Sequence, residues 1–506
     1  MEEDLFGSDS DDSGGEAGTS EGGNLSIPAA AVVRHDCRIP NPIVNEMDSF
    51  VSVHSDNLVK ALREGSRDLA NQMETLVSAY KRAEYSDAAD TASSVAHVTF
   101  AALTEHSSWP SASWREAYLH SQVFLAVTAL VGCYGKHELG DDKPYLLSLR
   151  CMRHVDRAFI LGGTNKLLSI FHAIQGPVAR HQWSEMLVSG EIEFNALDQG
   201  LSMPADLGAV PNQRGVPTLD PERSVPALTK PSITEFGVKA FGVLNDRLKS
   251  PHLLQGVATE ENGWGPALEK WKNVDFLVRE HGFRLVPIEV GRYPTFAAKD
   301  ATGVKAGADW SERITSIFDF CVTYMIPSLK NNVEEGVGEG DIYTTLPLSE
   351  TVGYLAQHSL IEQIKRLKAD FKVPPYCHHY DRSLTKINAW VGTEGTVTPL
   401  HYDSYDNFLT QVAGYKYVRL YAPGEGKFLY HDVPGAPKNS AERMRTLQGN
   451  ISPVRIEDPD LAKHPNFVHA TYQEAILGPG DMLFIPAGTW HYVRSLSPAF
   501  SLNFWF

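Results

Sequence analysis

Three residues of this 506-residue chain have the types and spacing to hold a transition metal. They are His401 and Asp403, one residue apart, and His491, 88 residues after Asp403. In an extended strand residues i and i+2 point to the same face, so a His-x-Asp pair can aim both ligands at one point. His491 follows Pro486-Ala-Gly488, a turn that re-aims the chain. Two imidazoles and one carboxylate form the ligand set of non-haem iron(II) oxygenases, which leaves three coordination positions open. Those positions suit a chelating 2-oxo acid and dioxygen. The far carboxylate of such an acid needs a cation and hydroxyl groups. Lys416 is the candidate cation, because a lysine buried beside Val418 and Leu420 needs an anionic partner. The alternative for a hairpin lysine is an exposed edge charge. Thr398, three residues before His401, can add a hydroxyl. A His-x-Asp pair alone is common and carries no function; the segment ending at His491 gives this one its weight.

The flanking residues frame the pair. Gly395-Thr-Val-Thr-Pro-Leu-His401-Tyr-Asp403-Ser-Tyr-Asp-Asn407, with six residues before Gly414, forms one motif. Gly480-Asp-Met-Leu-Phe-Ile-Pro486-Ala-Gly488-Thr-Trp-His491 forms the other. Together they resemble the two signature motifs of double-stranded β-helix, or cupin, proteins. The first differs from ordinary cupins in having Asp403 where a second histidine is usual and Asn407 where a glutamate is. The second ends on Ser495 where asparagine is general.

These motifs need strands to carry them. From Ile387 onward the alternation has period two and is broken by turn residues, as in a sandwich or jelly-roll barrel. Phe408 to Ala413, a turn at Gly414 and Tyr415 to Tyr421 read as a hairpin; Phe500 to Phe506 reads as the last strand. Earlier, Phe283 to Val290 reads as a strand and Trp310 to Met325 as a helix. The polar segment 437–466 interrupts the strands as an insertion near the site mouth. Asn45 to His172 is helical in pattern, with Leu58, Leu62 and Leu69 near one face and a long apolar run from Ala117. Six prolines lie between Pro204 and Pro231. The expected fold is α+β, a double-stranded β-helix catalytic domain preceded by an all-α domain. The expected division is an acidic tail (1–40), a helical domain (41–203), a proline-rich linker (204–231) and a cupin-like catalytic domain (232–506).

Composition sets the outer limits. The formal charge of −17 excludes a general nucleic-acid or anionic-membrane binder, so direct nucleic-acid binding is not expected. Residues 1–23 hold eight acids and no base, so the tail carries −8 and the other 483 residues −9. That tail, rich in Ser and Gly, is expected to be disordered. It is either solubilising or a phosphorylated docking segment built on Ser8, Ser10 and Ser13. The five cysteines have no metal-ligand or redox spacing, which excludes a zinc-finger reader and a disulfide framework. With no signal peptide and no long apolar run, the expected location is nuclear or cytoplasmic, neither secreted nor in a membrane.

Beyond the cupin motifs, residues from about Pro231 to Phe506 resemble a Jumonji-C domain. The likeness is nearest the small branch known as lysine demethylase 8 or arginyl hydroxylase. It is carried by Gly353-Tyr-Leu-Ala-Gln-His358, Ile387-Asn-Ala-Trp-Val-Gly-Thr-Glu-Gly395, His401-Tyr-Asp403, Asn407-Phe-Leu-Thr-Gln-Val, Gly414-Tyr-Lys416-Tyr-Val-Arg-Leu-Tyr-Ala-Pro, and Gly478-Pro-Gly-Asp-Met-Leu-Phe-Ile-Pro to His491-Tyr-Val-Arg. The resemblance implies iron(II) at His401, Asp403 and His491. It implies 2-oxoglutarate held by Tyr354, Thr398, Asn407 and Lys416, with Trp505 lining the same pocket and O2 as the other cosubstrate. It also implies that Glu289 and Trp390 contact a substrate arginine. A carboxylate fork and an indole face suit a guanidinium; the alternative is a strand-end glutamate and a core tryptophan. The expected function is a protein hydroxylase acting on arginyl side chains of a protein or peptide. The alternatives are a histone N-methyl-lysine demethylase, with a chromatin protein as partner, and a non-catalytic scaffold whose helical domain binds partners. The missing cysteine-rich finger favours hydroxylation.

Overall fold

The structure, a computed structural model, describes residues 41–106, 111–134, 144–162, 166–192, 202–205, 216–241, 249–292, 311–329, 351–381, 383–431 and 450–506. The acidic tail and residues 437–449 of the insertion lie outside these. Six helices come first: α1 (Asn41–Gly65), α2 (Arg67–Lys81), α3 (Tyr85–His106), α4 (Ala112–Tyr134), α5 (Pro144–Arg157) and α6 (Lys166–Val188). Ser66 caps α2, its Oγ accepting the Leu69 amide at 3.3 Å. Leu69, Met73, Leu76 and Val77 then fall on one buried face, at i, i+4, i+7 and i+8. The apolar run from Ala117 forms the centre of α4, where residues 117–124 are all buried.

Thirteen strands follow among the described residues. They are β1 (Ala227–Thr229), β2 (His252–Gln255), β3 (Leu285–Arg292), β4 (Ser311–Ser316), β5 (Thr351–His358), β6 (Lys386–Gly392), β7 (Val397–His401), β8 (Asn407–Ala413), β9 (Lys416–Tyr421), β10 (Gln473–Leu477), β11 (Met482–Ile485), β12 (Trp490–Ser495) and β13 (Ala499–Trp505). They form a nine-stranded sheet, β1-β2-β11-β8-β13-β6-β5-β3-β4, and a four-stranded sheet, β10-β9-β12-β7.

Alternation in the strands separates two faces of the large sheet. Phe408, Phe484, Phe500, Leu502 and Phe504 point outward and pack with Phe236, Trp264, Trp271 and Phe371. Trp271 stacks on Phe500 at 4.7 Å between ring centroids. Burying each such side chain stabilises the fold by roughly 1.5–3 kcal/mol. The opposite face meets the small sheet, where Leu409, Val418, Leu420, Leu483, Ile485 and Val493 form an inner cluster. The same inward face carries the candidate site.

Three local expectations change. The strands expected to form a hairpin around Gly414 are both present, as β8 and β9, but they lie in different sheets. β8 pairs with β11 and β13, and β9 with β10 and β12. Gly414 (φ +70°) carries the chain across the gap, and a Cβ there would sit 2.0 Å from the Pro498 carbonyl oxygen. The expected helix Trp310 to Met325 begins instead as a strand: Ser311–Ser316 pairs with β3, and helix follows only from Ile317. Ser316 makes the break, its Oγ capping the Asp319 amide at 2.9 Å. Finally, the described part of the proline-rich stretch is bound to the barrel. Val225 N donates to Glu474 O at 3.0 Å and β1 pairs with β2, so the large sheet begins inside that stretch.

The helical part is docked on the β part. Trp183 Nε1 donates to the Val278 carbonyl at 2.8 Å. Asp156 at the end of α5, fully buried, receives both Nε and Nη2 of Arg284. Among the described residues, no helix is long and apolar enough to cross a membrane.

Candidate metal centre and its pocket

His401 ends β7 and His491 lies near the start of β12. The register pairs them directly across the small sheet, and their ring centroids are 4.1 Å apart. Asp403 lies just past β7, with Oδ1 3.9 Å from His401 Nε2 and Oδ2 3.7 Å from His491 Nε2. Among the described residues, these three form the one group of histidine, cysteine or carboxylate side chains converging on a point in this way. Each imidazole is held by its other nitrogen. His401 Nδ1 donates to the Pro399 carbonyl at 2.8 Å and His491 Nδ1 to the Thr489 carbonyl at 3.0 Å. A carbonyl can only accept, so each Nδ1 carries a proton, and each Nε2 is turned toward Asp403. Burial, followed by the neighbouring His491, pushes the His401 pKa down to about 4. The ring is therefore neutral at pH 7, as a metal ligand must be.

The residues around this point form one pocket, lined by Tyr354, Gln357, Trp390, Thr398, Asn407, Lys416, Asn503, Trp505 and the three candidate ligands, with Leu409, Ile485 and Val493 behind them. Lys416 is 2% exposed, and burial alone brings its pKa down to about 7. No carboxylate among the described residues pairs with its Nζ, which lies 5.5 Å from the Tyr354 ring centre. The Tyr354 hydroxyl is 3.3 Å from Thr398 Oγ1, and burial holds it protonated, far above the usual phenol range. Asn407 Oδ1 and Trp505 Nε1 are buried with no hydrogen-bond partner among the described residues. An unanswered cation, an unanswered amide and an unanswered indole N–H, lining one pocket with a two-histidine, one-carboxylate cluster, fit a chelating dianion beside iron(II).

Of the ten residues singled out from sequence, nine line this pocket. The tenth, Glu289, sits on β3 directly across from Tyr354 and adds to the rise of the Tyr354 pKa, but it does not reach the pocket wall. Trp390 does reach it, with its ring 5.8 Å from that of Tyr354 and its Nε1 donating to Asn503 Oδ1 at 3.2 Å. Gln357 and Asn503 were missed in the sequence. Gln357 has φ +50° at a bulge that shifts the β5–β6 register between Leu355 and His358. Such a conformation in a non-glycine residue marks local strain and gives no sequence signal. Asn503 had a faint one, as a polar residue inside the apolar last strand.

Residues 248–506 match the family described as a cupin-like domain. The JmjC domain-containing protein F of Dictyostelium discoideum is 29% identical over 494 residues, covering 92% of this chain and 97% of that one. Lysine-specific demethylase 8 of Danio rerio is 37% identical over 291 residues, covering 57% of this chain and 60% of its own. Jumonji C domain-containing protein 5 of Drosophila melanogaster is 32% identical over 303 residues, covering 58% and 64%. The last two are thus matched over less than two-thirds of their own length.

Proposed function

The chain belongs to the cupin-like, Jumonji-C family of iron(II)- and 2-oxoglutarate-dependent oxygenases, and from that premise we propose that it hydroxylates an arginyl side chain of a protein substrate. In this reading His401, Asp403 and His491 hold the metal. Lys416 pairs with the far carboxylate of 2-oxoglutarate, which is oxidised to succinate and carbon dioxide. Tyr354 and Thr398 donate hydroxyl bonds to that carboxylate, and Asn407 and Trp505 close the same wall. Bound iron(II), with dioxygen and 2-oxoglutarate, supplies the oxidising power that no amino-acid side chain has.

Trp390 offers an indole face to the guanidinium, and Glu289 offers a negative charge behind it. Asn503 fixes the indole by accepting its N–H bond. Leu409, Ile485 and Val493 supply the apolar part of the pocket lining. The single observation that supports the cosubstrate part of the reading is the buried Lys416, unanswered by any described carboxylate in the pocket that also holds the candidate ligands, and the substrate part rests on Trp390 in the same pocket wall. The reading keeps the expected tail, helical domain and catalytic domain and a nuclear or cytoplasmic location, and it assigns the β1 end of the proline-rich stretch to the catalytic domain.

A second reading is N-methyl-lysine demethylation, favoured by the names of relatives such as lysine-specific demethylase 8. Mass spectrometry of arginine-rich and methyl-lysine peptides after turnover separates the two. Hydroxylation gives a product heavier by one oxygen atom on arginine; stepwise methyl loss alone would overturn it.

A further inference from the structure

Pairing between β7 and β12 aligns the two imidazoles, but Asp403 lies beyond the end of β7, so this pairing does not set its position. The loop that bears it is fastened instead to the turn before His491. The consecutive amides of Ala487 and Gly488 both donate into it: Gly488 N to the Asp403 carbonyl at 2.8 Å, and Ala487 N to Asp406 Oδ1 at 2.8 Å. The Asp406 side chain is 1% exposed and meets Lys249 Nζ at 3.1 and 3.4 Å. Its carbonyl accepts the Phe506 amide at 3.0 Å, next to Trp505. One residue thus ties together the Asp403 loop, the turn before His491, the segment leading into β2 and the end of β13.

We propose that Asp406 is a positioning residue that holds Asp403 facing the two histidines, with Lys249 as its counter-ion. This deepens the metal-centre reading above and rests on it. A carboxylate buried this far persists only with a paired cation and satisfied oxygens, and both conditions are met here by groups on other segments. Asp406 does not itself join the converging cluster, because its oxygens are turned to Ala487 and Lys249. Replacing it with asparagine keeps the shape but puts an amide donor against the Lys249 ammonium. The loop then loosens, and Asp403 loses its fixed place.

The test is Mn(II) binding followed by electron paramagnetic resonance on the full chain, without 2-oxoglutarate. Wild type, Asp403→Ala, Asp406→Asn and Lys249→Met are compared, together with the urea midpoint of each metal-free protein. Asp406→Asn is expected to weaken Mn(II) binding by about 10- to 100-fold, the usual cost of losing an outer-shell partner. Lys249→Met is expected to shift it in the same direction by less. Unchanged affinity in both variants overturns the proposal, as does a loss that merely follows the urea midpoint. If Asp406→Asn does not fold, unchanged affinity in Lys249→Met overturns it. A wild-type protein without an Mn(II) site that Asp403→Ala removes overturns the metal-centre reading instead.

Discussion

Lys416 is the residue on which the cosubstrate reading turns. Burial brings its pKa down to about 7. Only the protonated amine attracts a carboxylate, so affinity for 2-oxoglutarate should be level below about pH 7 and fall as pH rises above it. A bound carboxylate favours the charged amine, so the fall ends at the higher pKa of the complex. The KM for 2-oxoglutarate measured from pH 6 to 9 checks this; a KM flat through that range would contradict it. Lys416→Ala should cost roughly 1.5–3 kcal/mol of that binding, a roughly 10- to 150-fold rise in KM, as for loss of a charge-assisted hydrogen bond. The ligands and Lys416 were legible in the sequence because their signal is local: an i, i+2 pair, a Gly-Pro-Gly-His segment and a lysine in an apolar strand. Gln357 and Asp406 were not. The role of each depends on a bulge or on contacts with distant segments.

At the scale of elements, period two announced β8 and β9 but could not say which sheet each joins. A hairpin and a crossing between sheets share the same alternation and the same glycine turn. The difference lies in the close approach of Gly414 to the Pro498 carbonyl, which only the folded chain reveals. Gly414→Ala must therefore both adopt a left-handed backbone and push the 497–499 segment away. We expect a loss of roughly 1–3 kcal/mol, read as a lower urea midpoint, with the variant losing Lys416 function in proportion to unfolding. A midpoint equal to wild type would show that the crossing tolerates a side chain. Ser311–Ser316 makes a related point: its residues suit either a helix or an edge strand, and pairing with β3 decides the outcome.

Across the whole molecule, the helical part is joined to the β part through a buried ionic contact. Arg284 is 3% exposed, and its guanidinium meets Asp156, His172 Nε2 and the Gln363 carbonyl. Gln363 Nε2 returns to Asp156, and its Oε1 meets His358, the last residue of the strand that carries Tyr354. Asp156→Ala strands the Arg284 charge inside the protein. It should destabilise the chain by about 3–5 kcal/mol, the typical cost of breaking a buried pair from one side. Thermal unfolding checks this; an unchanged midpoint would mean that the two parts do not rely on the contact. The sequence showed the helical character of this part, but it held no sign of the dock. Asp156 and Arg284 are 128 residues apart and look like ordinary surface charges when read alone.

The central claim is that this oxygenase places oxygen on an arginyl side chain, and its most direct test is turnover under ¹⁸O-labelled dioxygen with an arginine-rich protein substrate. One labelled oxygen should appear in succinate and one on an arginine residue located by fragment mass spectrometry, with both lost in His401→Ala. Label in succinate accompanied only by methyl loss from lysine, with no labelled arginine, would contradict it.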